Sequence, residues 1–236
     1  MRHLFSFSQL PQDGMLPVMW LSAAALSKAM AEPWSPHGGP FKRDTPVAAF
    51  VQAASSYIPR ANGLIYFDAE AVSAVNTPAK DILIECFKAY DKRVPYFRRA
   101  CYGGPPSPFG RREDVIAAGN DKDHPMREWI RSNADFYSYL DYMDMGSYII
   151  GEQFIDRDFD CFTAWRQLVR QYLPHARPIW SVWGCYNWPP YPPMPPAVQT
   201  RYADFATRYD DDVIVFDYKP KRDDALVSRL KERIGV

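Results

Sequence analysis

The chain has 236 residues, 47% of them hydrophobic and 24% charged, enough to bury a full core in one large domain or two small ones. Its 28 basic and 28 acidic residues cancel, so no net field argues for a nucleic-acid partner or an anionic membrane surface. Two counts are high, 22 prolines and 15% aromatic residues: the first implies long stiff loops, the second a surface that stacks on flat apolar faces, sugar rings among them.

The cysteines Cys86, Cys101, Cys161 and Cys185 form no Cys-x-x-Cys pair, so neither a zinc nor a redox motif is expected. They fall in predicted helices and strands, where a small buried thiol is usual. The N-terminal residues lack the long apolar region of a signal peptide. The more apolar run Met15 to Ala25 is interrupted by Pro17 and is too short to span a bilayer. The expectation is a soluble, reduced, non-secreted protein, cytoplasmic or associated with a larger particle, without a cofactor.

Taken in order, the chain alternates strands and helices. Leu4 to Phe7 and Leu16 to Leu21 read as strands, followed by a Pro- and Gly-rich loop from Ser22 to Asp44. Thr45-Pro46 opens a helix with a cap and a first-turn proline, and Pro59 stops it. The strand Leu64 to Asp68 follows. Thr77-Pro78 opens the next helix, with Ile82, Leu83, Cys86, Phe87 and Tyr90 on one stripe. Tyr96 to Tyr102 is a strand, and Gly103 to His124 a long loop. Pro125 starts a helix carrying Trp129 and Ile130. Either Leu140 to Met143 or Ser147 to Ile150 supplies the next strand. A helix from about Phe159 to Tyr172 presents Phe162, Trp165, Val169 and Tyr172 on one face. Pro178 to Gly184 is a strand, Tyr186 to Pro196 a proline-rich loop, and Val198, Tyr202, Phe205 and Tyr209 mark a helix. Val213 to Asp217 is the last strand, and Leu226 to Ile234 the last helix.

About seven strands, most followed by a helix, predict a mostly parallel sheet with helices outside. A closed eight-stranded barrel needs about 250 residues, so the expectation is one domain, residues 1–236, forming a (β/α)8-like TIM barrel that is irregular or incomplete. An open doubly wound sheet is the alternative. No Gly-x-Gly-x-x-Gly follows the first strands, which argues against a dinucleotide site. Turns after helices are short, whereas loops after strands are long. In a parallel barrel those long loops gather at the C-terminal face, where active sites sit.

The chemistry centres on Leu64-Ile65-Tyr66-Phe67-Asp68-Ala69-Glu70. The apolar run reads as a strand buried on both faces, and alternation puts Leu64, Tyr66, Asp68 and Glu70 on one side. Two carboxylates there are costly unless hydrogen-bonded or functional, and their repulsion raises one pKa, as a general acid requires. The other reading of Asp68 is a cap for the next turn of chain.

Further candidates sit at other strand ends. Asp217 ends an apolar run resembling that before Asp68; its structural alternative is pairing with Lys219 or Arg222. Asp141, Asp144 and Glu152 lie near another strand, with Glu152 the candidate second carboxylate or else a helix-start acid. Trp183, Tyr186, Asn187 and Trp188 supply aromatics and an amide for a sugar platform, or else pack the prolines. Arg98 or Arg99 could pair with Asp68 or bind an anionic substrate group, with structural pairing the commoner outcome. Tyr66 and Tyr102 complete the expected substrate contacts. His3, His37, His124 and His175 are dispersed, and no metal cluster, nucleophile elbow or phosphate loop is evident.

The strand Tyr66-Phe67-Asp68-Ala69-Glu70 resembles the Asp-x-Glu strand of barrel glycoside hydrolases of the chitinase and hyaluronidase kinds. The segment Pro178 to Asn187, apolar and then Trp-Gly-Cys-Tyr-Asn, is similar to a hyaluronidase strand ending in Cys-Tyr-Asn. The resemblance implies that Glu70 is the general acid and that Asp68 orients a 2-acetamido group acting as the nucleophile. Leu64 and Tyr66 stand where the chitinase pattern has further aspartates, and Ala69 where the hyaluronidase pattern has an aromatic. The implied function is a glycosidase acting on a polysaccharide. A non-catalytic carbohydrate-binding or structural barrel is the alternative.

Overall fold

The computed structural model describes residues 3–6, 15–22, 64–68, 84, 88, 98–101, 111–144, 146, 148–186, 190–215 and 224–235. Among these residues seven short strands run parallel: β1 (Leu4–Ser6), β2 (Leu16–Ser22), β3 (Leu64–Asp68), β4 (Arg98–Cys101), β5 (Tyr142–Asp144), β6 (Arg177–Val182) and β7 (Asp212–Val215). Each pairs with the next, and β1 also pairs with β7 through Leu4↔Val213 and Phe5↔Ile214, which curls the sheet onto itself. The expected parallel sheet with outer helices is present, and the closure excludes the doubly wound alternative. Among the described residues the ring has seven strands, one fewer than an eight-stranded TIM barrel.

Alternation explains the two apolar layers. Phe5, Leu64, Tyr66, Ala100, Tyr142, Ile179 and Ile214 fill the barrel interior. The residues between them on the same strands, Leu4, Met143, Trp180, Val182, Val213 and Val215, face the helices. The described helices are α1 (Arg112–Asn120), α2 (Pro125–Ser132), α3 (Ala134–Tyr137), α4 (Ile155–Tyr172), α5 (Pro196–Ala206) and α6 (Asp224–Ile234). Residues 84 and 88 are also helical, within the stretch predicted to follow Thr77-Pro78.

Helix α4 buries the expected stripe, with Phe162, Trp165, Leu168 and Val169 inside. Phe162 meets Trp180 edge-on at 6.4 Å, and Trp180 meets Phe205 of α5 at 5.3 Å. Aromatic pairs of this kind contribute roughly 0.5–1.5 kcal/mol beyond their burial. Pro125 occupies the first turn of α2, and the His124 side chain accepts from the Met126 N–H at 3.3 Å.

Helix α1 interrupts what the sequence presents as one long loop from Gly103 to His124. It buries only Val115 and Ala118, so it lacks the broad apolar stripe that reveals a helix. Small residues let it approach α4: a Cβ on Gly119 would lie 2.7 Å from the Ala164 Cβ. Between the two candidates for β5, the structure selects Tyr142–Asp144, overlapping Leu140 to Met143. The turns before β6 and β7 are short, while residues 145–154 and 183–195 after β5 and β6 are long, so the expected asymmetry holds where it is described.

Candidate functional site

The C-terminal ends of the strands form one face. β3 ends at Asp68, paired in register with Ser22 of β2. One inward position below Asp68 is Tyr66, fully buried. Its hydroxyl donates a hydrogen bond to Asp144 Oδ2, which closes β5 and is itself fully buried. The Gly146 N–H donates to Asp144 Oδ1 at 2.9 Å, from a backbone with φ of 54° that glycine adopts freely. Two strands of the mouth are thus tied directly beneath Asp68.

The sequence expects Tyr66 and Asp144 to contact substrate. Both are fully buried and bonded to each other, so here they support the mouth from below. Arg98 is a clearer correction. It opens β4, at the N-terminal end of the barrel, where its guanidinium donates to the Tyr142 hydroxyl at 2.7 Å and lies 3.2 Å from His3 Nδ1. The length of an extended strand separates it from the end where Asp68 lies. Arg99 pairs with Asp141, which also accepts from the Arg99 backbone N–H at 2.8 Å.

Glu152 opens a single 3₁₀ turn, Glu152–Phe154, ahead of α4, and is exposed. Its charge is felt at Tyr186, whose pKa is pushed above the ordinary tyrosine value by burial first and by Glu152 second. Glu70, Tyr102, Asn187, Trp188 and Asp217, and the side chain of Asp68, lie outside the described residues.

Past β6 the chain doubles back as a hairpin. Cys185 bridges Pro193, Tyr186 N–H donates to Pro192 O at 3.0 Å, and Met194 N–H donates to Gly184 O at 2.9 Å. Trp183 is half-buried at its base, edge-on to Tyr148 at 5.9 Å and tilted 43° to Tyr191 at 5.5 Å. Tyr191 is 47% exposed with φ of 59°, a left-handed backbone that costs a non-glycine residue roughly 1–2 kcal/mol. The Tyr186 hydroxyl is buried with no hydrogen-bond partner among the described residues.

Tyr148 and Tyr191 do not stand out in the sequence. Tyr148 lies in an unplaced segment and Tyr191 is one aromatic among prolines, and only the hairpin brings them to Trp183. The Tyr148 segment is held by Arg112, which donates to Tyr148 O at 2.6 Å and forms an ion pair with the buried Asp158. Asp158 Oδ2 in turn accepts from the Ile150 N–H at 3.0 Å.

Among the described residues, no group of three or more His, Cys, Asp or Glu side chains could hold a metal ion. Cys161 is buried in α4, and burial pushes its thiol up to about 12, leaving it protonated and unreactive at neutral pH. A cavity of about 330 Å³ lies by Ala134, Tyr137 and His175, at the end of the barrel opposite Asp68. No described helix is long and apolar enough to cross a membrane.

Neither a protein-family model nor a curated protein matches the sequence. Solved structures do match the fold. A bee venom hyaluronidase, in a monoclinic crystal, has a TM-score of 0.65 at 10% identity, over 92% of this chain and 84% of that one. Bee venom hyaluronidase in complex with a hyaluronic acid tetramer has a TM-score of 0.63 at 10% identity, over 100% of this chain and 96% of that one. A GH18 chitinase from Pseudoalteromonas aurantia has a TM-score of 0.53 at 9% identity, over 93% and 77%. This chain has a glycoside hydrolase-like fold, resembling the two kinds of enzyme to which its Asp-x-Glu strand is similar.

Proposed function

We propose that this protein is a glycoside hydrolase acting on a polysaccharide, with Glu70 as general acid and Asp68 as its partner. The observation that carries this reading is the position of Asp68 as the last residue of β3. The C-terminal face of a parallel barrel is where catalytic groups of this architecture lie, and Glu70 follows two residues later. The fold likeness to hyaluronidase and chitinase supports it, since both are carbohydrate-cleaving enzymes.

With an acetamido sugar, Glu70 protonates the leaving glycosidic oxygen while the acetamido carbonyl oxygen attacks the anomeric carbon. Asp68 orients that group and steadies the positive charge it acquires. Water then opens the cyclic intermediate, with Glu70 taking the proton back. Without an acetamido group, Glu70 would share the work with a second carboxylate, Glu152 or Asp217, at a separation that decides retention or inversion. On this reading Tyr102, Asn187, Trp188 and Asp217, which follow β4, β6 and β7 in the chain, are the substrate contacts. The buried Tyr66–Asp144 bond keeps β3 and β5 in fixed relation beneath them.

The test is release of reducing ends from a panel of polysaccharides by the wild-type protein and by Glu70→Gln. Release that Glu70→Gln abolishes supports the assignment, and an unchanged rate removes Glu70 from the mechanism. A second reading, a barrel that binds carbohydrate without cleaving it, is favoured by Leu64 and Tyr66 standing where the chitinase pattern has aspartates. It predicts polysaccharide binding with no reducing ends from the wild type.

A further inference from the structure

We propose that His3 is a proton-driven switch in the floor of the barrel, its Nδ1 accepting a hydrogen bond from Arg98 when bare and donating one to Asp212 when protonated. The inference concerns the N-terminal end of the barrel and is independent of the glycosidase reading.

Four polar side chains close a circuit there. The Arg98 guanidinium, from the first residue of β4, donates to the Tyr142 hydroxyl of β5 at 2.7 Å. That hydroxyl donates to Asp212 Oδ2 of β7 at 2.6 Å. His3, which directly precedes β1, completes the circuit: its Nδ1 lies 3.2 Å from Arg98 Nη1 and 3.4 Å from Asp212 Oδ1. These two neighbours make opposite demands on one nitrogen. A guanidinium only donates, so Arg98 needs a bare Nδ1. An ionised carboxylate only accepts, so Asp212 needs Nδ1–H. The nitrogen satisfies one of them at a time. The His3 backbone is fixed in either case, because its N–H donates to Asp212 Oδ1 at 2.7 Å and its carbonyl accepts from the Val213 N–H at 3.1 Å. Only the partner of the imidazole changes.

The choice matters because the two partners sit on different sides of the barrel. β1 and β7 are neighbours in the closed sheet, whereas β2 and β3 separate β1 from β4 on one side and β5, β6 and β7 on the other. A bare Nδ1 therefore ties the two sides of the floor together. A protonated one ties β1 only to the strand it already pairs with. Protonation also sets an imidazolium beside the Arg98 guanidinium, a like-charge contact that drives Arg98 away. The charged and titratable groups that the described residues bring to His3 are Arg98, Asp212 and, through Asp212, Tyr142 and Arg177, the last 3.6 Å from the carboxylate. β2 and β3 begin with the apolar Leu16 and Leu64. The His3 side chain is 23% exposed, so solvent supplies the proton, and histidine is the side chain that changes charge between about pH 5 and about pH 8. In mild acid the tie across the floor is lost while the seam between β1 and β7 is kept.

The experiment is a pair of measurements on the full chain. Imidazole nitrogen chemical shifts of His3 in the wild-type protein should show a bare Nδ1 and a protonated Nε2 at about pH 8, and both nitrogens protonated at about pH 5. A proton already on Nδ1 at about pH 8, or a ring that stays neutral at about pH 5, would overturn the switch. Double-mutant cycles in urea unfolding then read the partner. His3→Leu with Arg98→Met should show a favourable coupling at about pH 8 that is lost or reversed at about pH 5. His3→Leu with Asp212→Asn should show a coupling that is present only at the lower pH. Should Asp212→Asn fail to fold, the Arg98 cycle and the imidazole shifts decide the matter between them. A His3–Arg98 coupling equal at both pH values would overturn the proposal.

Discussion

The two ends of the barrel solve the problem of buried charge differently. At the N-terminal end, Asp212 is fully buried yet accepts from the His3 backbone N–H at 2.7 Å and from the Tyr142 hydroxyl at 2.6 Å. Arg98 donates to that hydroxyl, and Arg177 lies 3.6 Å from the carboxylate. One buried acid thus sits in a ring of cationic and hydroxyl groups that closes the floor. At the C-terminal end the buried acid is Asp144, held by a tyrosine hydroxyl and a glycine N–H. The floor brings arginines to its carboxylate. The mouth has the long loops after β5 and β6 and an exposed aromatic, Tyr191. Removing one partner from a buried ion cluster is destabilising, whereas on the proposed reading the acids at the mouth carry the chemistry.

The comparison breaks first at Glu70. Glu70→Gln should reduce reducing-end release by about 10²–10⁴-fold, the usual worth of a general acid, with an unchanged urea midpoint. Asp212→Ala should do the reverse. It leaves the Tyr142 hydroxyl and the His3 N–H without their acceptor, beside the half-buried Arg98, and should cost about 1–3 kcal/mol per unsatisfied donor in urea unfolding, while the rate per folded molecule stays the same. A fall in specific activity without loss of stability would show that the floor takes part in the chemistry.

The two tyrosines sharpen the contrast. Tyr66→Phe strips a donor from buried Asp144 and should cost about 1–3 kcal/mol. Because Tyr66 supports the strand bearing Asp68, it should also lower kcat and shift the activity–pH profile. A stability loss with an unaltered profile would make Tyr66 structural only.

Tyr142→Phe, at the floor, should cost about 1 kcal/mol at neutral pH and leave the profile unaltered. Its pH signature is separate. Burial first, and then the hydrogen bond to Asp212, raise the Tyr142 pKa well above the ordinary value of about 10. The unfolded chain therefore loses this proton at lower pH than the folded one. The stabilisation is fully present below about pH 10, the unfolded value, and is lost as pH rises above it. Urea midpoints measured from about pH 8 to about pH 11.5, a range spanning that value, should converge for wild type and Tyr142→Phe. Parallel curves would contradict the assignment.

Much of the barrel wall is legible in the sequence because its cause is local. The run Leu64 to Phe67 marks β3 and ends it at Asp68, where the structure ends it. Helix α4 declares itself through Phe162, Trp165 and Val169, and α2 through Pro125. Asp212 escapes a reading of the sequence because it precedes the apolar run of β7, and a lone aspartate carries no periodic signal. Arg98 is assigned there to the wrong end because a four-residue strand has its two ends only a few residues apart in sequence.

By itself, then, the sequence determined the alternation of strands and helices, the inward and outward faces of each strand, the bias of long loops toward one end, and the position of Asp68 on that end. All of these follow from periodicity and turn chemistry within a few residues. Only the tertiary structure decided that β1 closes on β7 in a ring of seven described strands, that Tyr66 meets Asp144, that Asp212 gathers partners from distant strands, and that Trp183 lies against Tyr148 and Tyr191. The His3–Asp212 pairing joins residues 209 positions apart. Such partners are selected by the packing of a closed core, where each buried polar group must find a complement, and no local pattern encodes which complement that is.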